Sequence, residues 1–456
     1  MSQLVTVVLA AGKGTRMKSA LPKVLHPVGG KPMVRHVLDA AREAGAEKQV
    51  VVVGFGAESV EKTIGPQAEF VVQAEQLGTG HAVMQAREQL QAIEGTVMVL
   101  CGDTPLLTGT LLSKLYQAHK NAGAAATVLT AIVPDPGGYG RVIRNGQGQV
   151  TKIVEHKDAS QEERKVDEVN TGIYCFEKEP LLNALARLTC DNVQREYYLT
   201  DVIGILNSGG NKVRAVSADD HRETLGINSR IQLAEAEKIL RRRKLEDLMN
   251  DGVTIMDPDS TFIDAEVKVG PDTVIYPFTW LEGGTSVGGD CEIGPNTRIQ
   301  NTVIGNGAVI HFTYAHDCEI GNNVTLGPYV HLRPGTKLAA GVKVGNFVEV
   351  KNSQVGQNSK IPHLSYIGDT DMGSQVNIGS GTITVNYDGK RKYRTTIEDG
   401  AFIGCNANLV APVTIGRGSY VAAGSTITKD VPADSLGVAR ARQSVIDGWA
   451  EKHRNK

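Results

Sequence analysis

Aliphatic side chains recur at every sixth position through the second half of the chain. They fall at Ile263, Val269, Ile275, Leu281, Val287, Ile293 and Ile299, and resume after a one-residue slip at Ile304 and Ile310. They continue at Ile320, Leu326, Leu332, Leu338, Val344 and Val350, then at Val355, Ile361, Ile367, Met372 and Ile378, and end with Ile397, Ile403, Leu409, Ile415, Val421 and Ile427. Four residues after these stand small or β-branched residues, among them Val267, Thr273, Thr279, Thr285, Cys291, Thr297, Val413, Ser419 and Ser425. A six-residue period is neither the 3.6 of a helix nor the plain alternation of a long strand. It describes a short strand plus a corner, one side of a prism, with Gly or Asn tolerating the corner dihedrals. Three sides make a coil of about 18 residues, so residues 251–437 predict on the order of nine stacked coils. The single long interruption, Gly379–Thr396, is polar and holds Asn386–Arg394. A solenoid gains nothing from such an excursion, which is therefore expected to carry binding.

The first half has a different rhythm. Leu4–Ala10, Gln49–Val53 and Thr96–Cys101 are short β-branched runs of the kind buried in a parallel sheet. Helical patterns, Pro32–Ala44 and Leu77–Leu90, lie between them. The alternation predicts a doubly wound α/β, Rossmann-like domain over residues 1–228, with its ligand site beyond the carboxyl ends of the strands. A helix from Ile227 to Asn250 follows, stopped by Gly252, so residues 229–250 are expected to act as a rigid connector. Its basic run, Arg241–Lys244, reads as a solvated face rather than an anion site. Residues 438–456 form a tail in which Arg440 and Arg442 either grip an anion or are simply solvated.

Composition narrows the class without changing this picture. A formal net charge of −2 supplies no basic field, so no nucleic-acid partner is expected. The 51 glycines and only 5% aromatics suit tight repeated turns around small aliphatics. Six scattered cysteines without a C-x-x-C pair read as reduced packing thiols, Cys405 among them. No apolar run approaches a membrane span, and Met1-Ser2-Gln3 lacks the features of a secretory leader, so a cytoplasmic location away from membranes is expected.

Chemistry concentrates in two places. The first strand runs into Ala10-Ala11-Gly12-Lys13-Gly14-Thr15-Arg16-Met17, followed by Leu21-Pro22-Lys23. Such a turn lets backbone N–H groups close on phosphate oxygens while Arg16 and Lys23 neutralise charge. It is neither the dinucleotide fingerprint nor a P-loop. Asp103 follows a strand at Cys101-Gly102-Asp103, where a carboxylate can help hold Mg²⁺. In the prism, His363 fills a hexad slot in Ile361–Tyr366. Arg333, Asn346–Lys351 and the Asn386-Tyr387 loop lie near multiples of one coil from it. Residues one coil apart stack, so these groups can converge on one edge, where a neutral imidazole serves as a base. On the residues alone His363 is either such a base or surface decoration.

The run L-x-x-G-x-G-T-R-M with P-K beyond it resembles sugar-nucleotide pyrophosphorylases, and the hexads resemble the left-handed β-helix of hexapeptide-repeat acyltransferases. The order of the two, with R-P-G (Arg333–Gly335), V-G-N-F-V-E (Val344–Glu349), H-L-S-Y-I-G-D (His363–Asp369), N-I-G-S-G-T (Asn377–Thr382), N-Y-D-G (Asn386–Gly389) and L-V-A-P-V (Leu409–Val413), is similar to the bacterial bifunctional N-acetylglucosamine-1-phosphate uridylyltransferase/glucosamine-1-phosphate acetyltransferases across residues 4–445. The resemblance implies acetyl transfer from acetyl-CoA to glucosamine 1-phosphate, then uridylyl transfer from UTP to N-acetylglucosamine 1-phosphate, in a homotrimer. It implies UTP and UDP-sugar contacts at Leu9, Ala10, Ala11, Gly12, Lys23, Gln73, Gly78, Thr79, Gly140, Glu155, Asn170 and Asn228, with Asp103 and Asn228 on Mg²⁺. In the prism it implies acceptor contacts at Arg333, Lys351, Tyr366 and Asn377, and acetyl-CoA contacts at Ser380, Asn386, Tyr387, Cys405, Ala423 and Arg440. Ser380 and Cys405 stand where relatives often carry Ala and Ser, and Arg195 replaces a frequent Gly. Two rival readings are a pyrophosphorylase with a purely structural β-helix and a non-catalytic scaffold of the same modules. Intact phosphate-loop and His363 constellations count against both.

Overall fold

The structure, a computed structural model, describes residues 3–454. The chain forms two compact units, Met1–Leu240 and Arg241–Lys456.

The first unit is built on a nine-stranded sheet. Its strands are β1 (Gln3–Ala10), β2 (Lys48–Val53), β3 (Glu69–Val72), β4 (Gly95–Cys101), β5 (Ala126–Ile132), β6 (Arg141–Arg144), β7 (Val150–Val154), β8 (Glu168–Glu177) and β9 (Val213–Ser217). The order is β9-β5-β8-β4-β1-β2-β3, with the β6–β7 hairpin attached to β8. β1, β2 and β4 are near-continuous aliphatic runs because both sheet faces are covered. Val5, Val7, Val50, Val52, Val97 and Val99 face one core, and Leu4, Val8, Val51, Val53, Met98 and Leu100 face the other.

The three strands read as a parallel set do pair in parallel, β1 with β2 and with β4, and two expectations about helices are corrected. The sheet is mixed: β8 runs antiparallel between β4 and β5, with a register shift between Asn170 and Ile173. The helix expected over Leu77–Leu90 is two, α1 (Thr79–Gln85) and α2 (Arg87–Gln91). Residues 77 and 78 are drawn away because Leu77 O accepts the Tyr197 N–H, and Gly78 has φ of +103°. The helix expected from Ile227 begins at Arg230, since Ile227 N–H donates to Asp103 O and Ser229 Oγ caps Gln232 N–H.

In the second unit, three parallel sheets of 11, 10 and 9 strands form the faces of a left-handed β-helix. Eleven strands stacked at ~4.8 Å make its longest face roughly 48 Å tall. The hexad aliphatics form one continuous buried column, including Ile263, Leu281, Ile299, Leu332, Val350 and Ile367. Two inward positions without an aliphatic are held by Ala315 and Thr384, both buried. The inward Ser and Thr of the second column spend their hydroxyls on the corners. Ser353 Oγ donates to Lys351 O and accepts the Thr370 N–H one coil on, so that hydroxyl is satisfied. Thr395, in the same column, is an exception, its hydroxyl buried without a hydrogen-bond partner. Corner asparagines pack where a Cβ would otherwise stand. A Cβ on Gly381 (φ +74°) would lie 2.2 Å from Asn406 Oδ1, which restricts that corner to glycine.

The polar excursion is also narrower than Gly379–Thr396, because Ile383–Val385 is a strand paired with Asn408–Val410. The loop proper is Asn386–Arg394. The basic run of the helix (α3, Arg230–Asn250) is only partly solvated. The Arg241 guanidinium lies 4.3 Å from the Phe262 ring centroid, Arg242 pairs with Glu246, and burial lowers the Lys244 pKa.

Ile361 is fully buried and aligned with Val344 in the preceding coil. Ile361→Ala should therefore cost about 3 kcal/mol, within the usual range for such cavities, seen as a lower denaturant midpoint for the prism alone. An unchanged midpoint would show that the coils collapse around the void.

Candidate functional site

In the first unit the chain ends β1 and β4 side by side, and the charged groups gather beyond their carboxyl ends. Gly102 N–H donates to Leu9 O at 2.9 Å, and Phe55 N–H donates to Ala11 O at 3.1 Å, so Leu9–Ala11 lie beside the Gly102-Asp103 turn. Gly12 is exposed with open space around it, and Arg16 is exposed on a single 3₁₀ turn, Thr15–Met17, without an ion pair among the described residues. Lys23 passes beneath this loop. Its Nζ is ion-paired with Asp103 Oδ2 and donates to Asn228 Oδ1 at 2.6 Å. The two oxygens expected to serve a cation thus address a single point, held here by an ammonium. That donor set suits Mg²⁺, which needs one or two protein oxygens and takes the rest from water and phosphate. Arg230 bonds Met17 O and His26 Nδ1, tying the loop's end to the start of α3. Nothing in the sequence pattern singled out that tie.

Two further clusters flank this point. Gln73, buried, donates to Gly78 O at 3.1 Å and contacts His81 Nδ1, while Thr79 Oγ1 accepts the Leu199 N–H. On the other side Asn170 N–H donates to Gly140 O, and a Cβ on Gly140 would sit 3.6 Å from both Asn170 Cβ and the Glu155 carboxyl carbon. Gly140, Glu155 and Asn170 are therefore one wall. Burial raises the Glu155 pKa, opposed by the Thr200 hydroxyl and reinforced by Asp201 and Asp158. The Tyr139 phenol is also raised, by burial and by Asp103, and the Cys101 thiol is pushed up to about 12 by burial with help from Asp103. The Cys101 sulfur beside the glycine-rich loop is therefore a neutral thiol. Arg141, next to Gly140, is 2% exposed and bonded to the backbone carbonyls of Tyr139 and Arg164. Its role is to hold the wall. Arg195, where a Gly is frequent, has φ of +54°, a left-handed conformation.

In the second unit the parallel register builds two columns. Asn346 and His363 pair one coil apart, and the same corner continues through Ser380, Cys405 and Ala423. Arg440 completes it by donating to Ala423 O at 2.9 Å. His363 is exposed, and its Nδ1 bonds Asn346 Oδ1 at 2.7 Å. Cys405 is exposed too, which corrects the packed-thiol expectation: the corner turns it outward, whereas Cys291 and Cys318 are buried.

The neighbouring face carries Arg333, Glu349, Lys351 and Tyr366, with Arg333 ion-paired to Glu349. Asn377 pairs with Lys360 at the edge of the face bearing His363, partly exposed. Asn386, 7% exposed, donates to Asp369 Oδ2 at 2.5 Å, and Asn352 donates to its Oδ1 at 2.5 Å, so one buried carboxylate anchors the loop. A Cβ on Gly368 would lie 2.4 Å from the Tyr366 hydroxyl, so glycine there makes room for the phenol. Tyr387 is exposed on the loop, its hydroxyl donating to Gly389 O. The loop returns Lys392 to Lys351, whose hydrogen bond and charge lower the Lys392 pKa, and Arg394 pairs with Asp371. Asp369 and Lys392 were missed in the sequence. The H-L-S-Y-I-G-D motif included Asp369, but no periodic signal marked it as an anchor.

A sheet whose glycine-rich loop rests over the Lys23–Asp103 pair and a hexad prism with an exposed histidine on one corner define a two-domain transferase. Residues 6–252 match the MobA-like NTP transferase domain family, and residues 317–352 and 394–429 match the bacterial transferase hexapeptide (six repeats). The chain is 57% identical to the bifunctional protein GlmU of Geobacillus sp. (strain WCH70) over 446 residues, covering 98% of this chain and 97% of the relative. It is 56% identical to that of Geobacillus thermodenitrificans over 450 residues (99% and 98%), and 52% identical to that of Caldanaerobacter subterraneus subsp. tengcongensis over 456 residues (100% and 99%). The chain belongs to the GlmU family of bifunctional transferases. No helix among the described residues is long and apolar enough to cross a membrane.

Proposed function

We propose that the protein makes UDP-N-acetylglucosamine in two steps. Residues 251–437 transfer acetyl from acetyl-CoA to glucosamine 1-phosphate, and residues 1–228 transfer uridylyl from UTP to N-acetylglucosamine 1-phosphate, releasing pyrophosphate. The observation that carries this reading is the exposed His363 with its Nδ1 committed to Asn346 Oδ1. A proton on Nδ1 leaves the Nε2 lone pair free as a base.

In the acetyl step the sugar amine attacks the thioester carbonyl, its proton passes to His363 Nε2, and the C–S bond breaks to release coenzyme A. Arg333 and Lys351 hold the sugar phosphate, Tyr366 and Asn377 the sugar, and Ser380, Asn386, Tyr387, Cys405, Ala423 and Arg440 the acetyl-CoA. In the uridylyl step a phosphate oxygen of the sugar attacks the α-phosphorus of UTP and the bond to pyrophosphate breaks. Arg16 and Lys23 neutralise charge on the triphosphate, the Leu9–Gly12 backbone cradles it, and Gln73, Gly78 and Thr79 receive the base. Gly140, Glu155 and Asn170 receive the sugar. Asp103 and Asn228 would hold Mg²⁺, which when bound supplies electrostatic stabilisation of the phosphates.

A cytoplasmic homotrimer fits this reading. The corner ladder Phe312, Tyr329 and Phe347 stacks with ring centroids 5.5 and 5.2 Å apart, and Tyr329 and Phe347 are each 56% exposed, an apolar stripe suited to a neighbouring prism. The test follows free thiol with acetyl-CoA and glucosamine 1-phosphate, and pyrophosphate with UTP and N-acetylglucosamine 1-phosphate. Both should appear. Pyrophosphate without thiol would leave a pyrophosphorylase with a structural prism, and neither would leave a scaffold.

A further inference from the structure

Lys23 stands where the cation is needed, and the structure shows how it is kept there. Its Nζ engages Asp103 and Asn228 together, and the Lys23 and Asp103 side chains are only 14% and 20% exposed. A divalent ion requires those same two oxygens, and an ammonium beside it would be strongly repelled. The stem of Lys23 also passes directly under the phosphate loop. A Cβ on Gly14, at φ +57°, would lie 2.5 Å from Lys23 Cβ, so that glycine is what allows the loop to rest on the lysine.

We propose that Lys23 is an internal counter-ion that plugs the metal seat of the free enzyme and is drawn out by nucleotide phosphates. It then neutralises the triphosphate while the seat opens. This rests on the reading of Asp103 and Asn228 as the metal ligands. Its consequence is a binding order: free divalent cation competes with Lys23, whereas cation arriving with nucleotide does not.

Mn²⁺ binding to the full-length protein, followed by electron paramagnetic resonance without nucleotide, tests this. Lys23→Met should bind Mn²⁺ about tenfold more tightly than the wild type, a coupling of ordinary size, while Lys23→Arg should not. Equal or weaker binding by Lys23→Met overturns the plug. Asp103→Ala separates this failure from that of the metal reading. Loss of Mn²⁺ binding in Asp103→Ala supports the metal site whatever Lys23→Met does, and unchanged binding with and without UTP overturns the site itself. A second readout needs no Lys23 variant. Modification of wild-type Lys23 by an amine reagent, quantified by mass spectrometry, should rise as Mn²⁺ is added, because the ammonium is expelled from Asp103. Constant or falling modification overturns the plug.

Discussion

Asp103→Ala is expected to lower uridylyl transfer about 10³-fold or more and to leave acetyl transfer unchanged. The size follows from what the carboxylate does. It is the one acidic oxygen addressing the point also faced by Asn228 Oδ1, and the neutral amide cannot hold a divalent ion beside Lys23 alone. The truncation is otherwise mild. Ile227 N–H donates to the backbone oxygen of residue 103, which alanine keeps, so the entry to α3 and the position of Asn228 survive. A loss confined to one activity therefore reports on the site and not on folding. Pyrophosphate release at saturating UTP and sugar phosphate is the measurement. A rate within a few-fold of wild type would remove Asp103 from the chemistry.

The two units were not equally legible. The prism could be read almost coil by coil, because each inward position repeats with the same neighbours and nothing distant competes. The exceptions are instructive. Ala315 and Thr384 fill inward slots without an aliphatic, and the hidden strand Ile383–Val385 shortened the polar excursion to Asn386–Arg394. A hydroxyl is acceptable inside because Thr384 Oγ1 accepts the Gly368 N–H at 2.7 Å. In the sheet, the antiparallel β8 escaped notice. An antiparallel strand buried on both faces, such as Ile173-Tyr174-Cys175-Phe176, has the same apolar composition as a parallel one, and direction is decided by distant partners.

The sites divide in the same way. The residues of the contiguous run Gly12–Lys23 lie together, the loop resting on Lys23 at Gly14. Contacts made across long separations did not announce themselves. Arg230 reaches Met17 and His26, Arg141 turns into the wall, and Lys392 is returned to Lys351 by the loop that Asp369 anchors. Each depends on tertiary packing that no local period encodes. The same limit explains Cys405, whose hexad slot looked like any other although the corner turns its side chain outward.

His363→Ala should slow acetyl transfer about 10²–10⁴-fold, the usual contribution of a general base, with uridylyl transfer intact. The loss should fall on kcat, and KM for acetyl-CoA should hold. Ser380, Cys405, Ala423 and Arg440, among the groups proposed to grip the coenzyme, continue up the same corner and do not depend on the imidazole for their positions. Asn346→Ala should give a smaller loss, because it removes only the acceptor that fixes the ring and its proton on Nδ1. Since His363 is exposed, added imidazole can reach the vacated space and should restore part of the rate in His363→Ala, but none in a variant that merely misfolds. An unchanged acetylation rate in His363→Ala would assign the proton to another group. An imidazole-insensitive loss would instead make the histidine a structural member of the corner column.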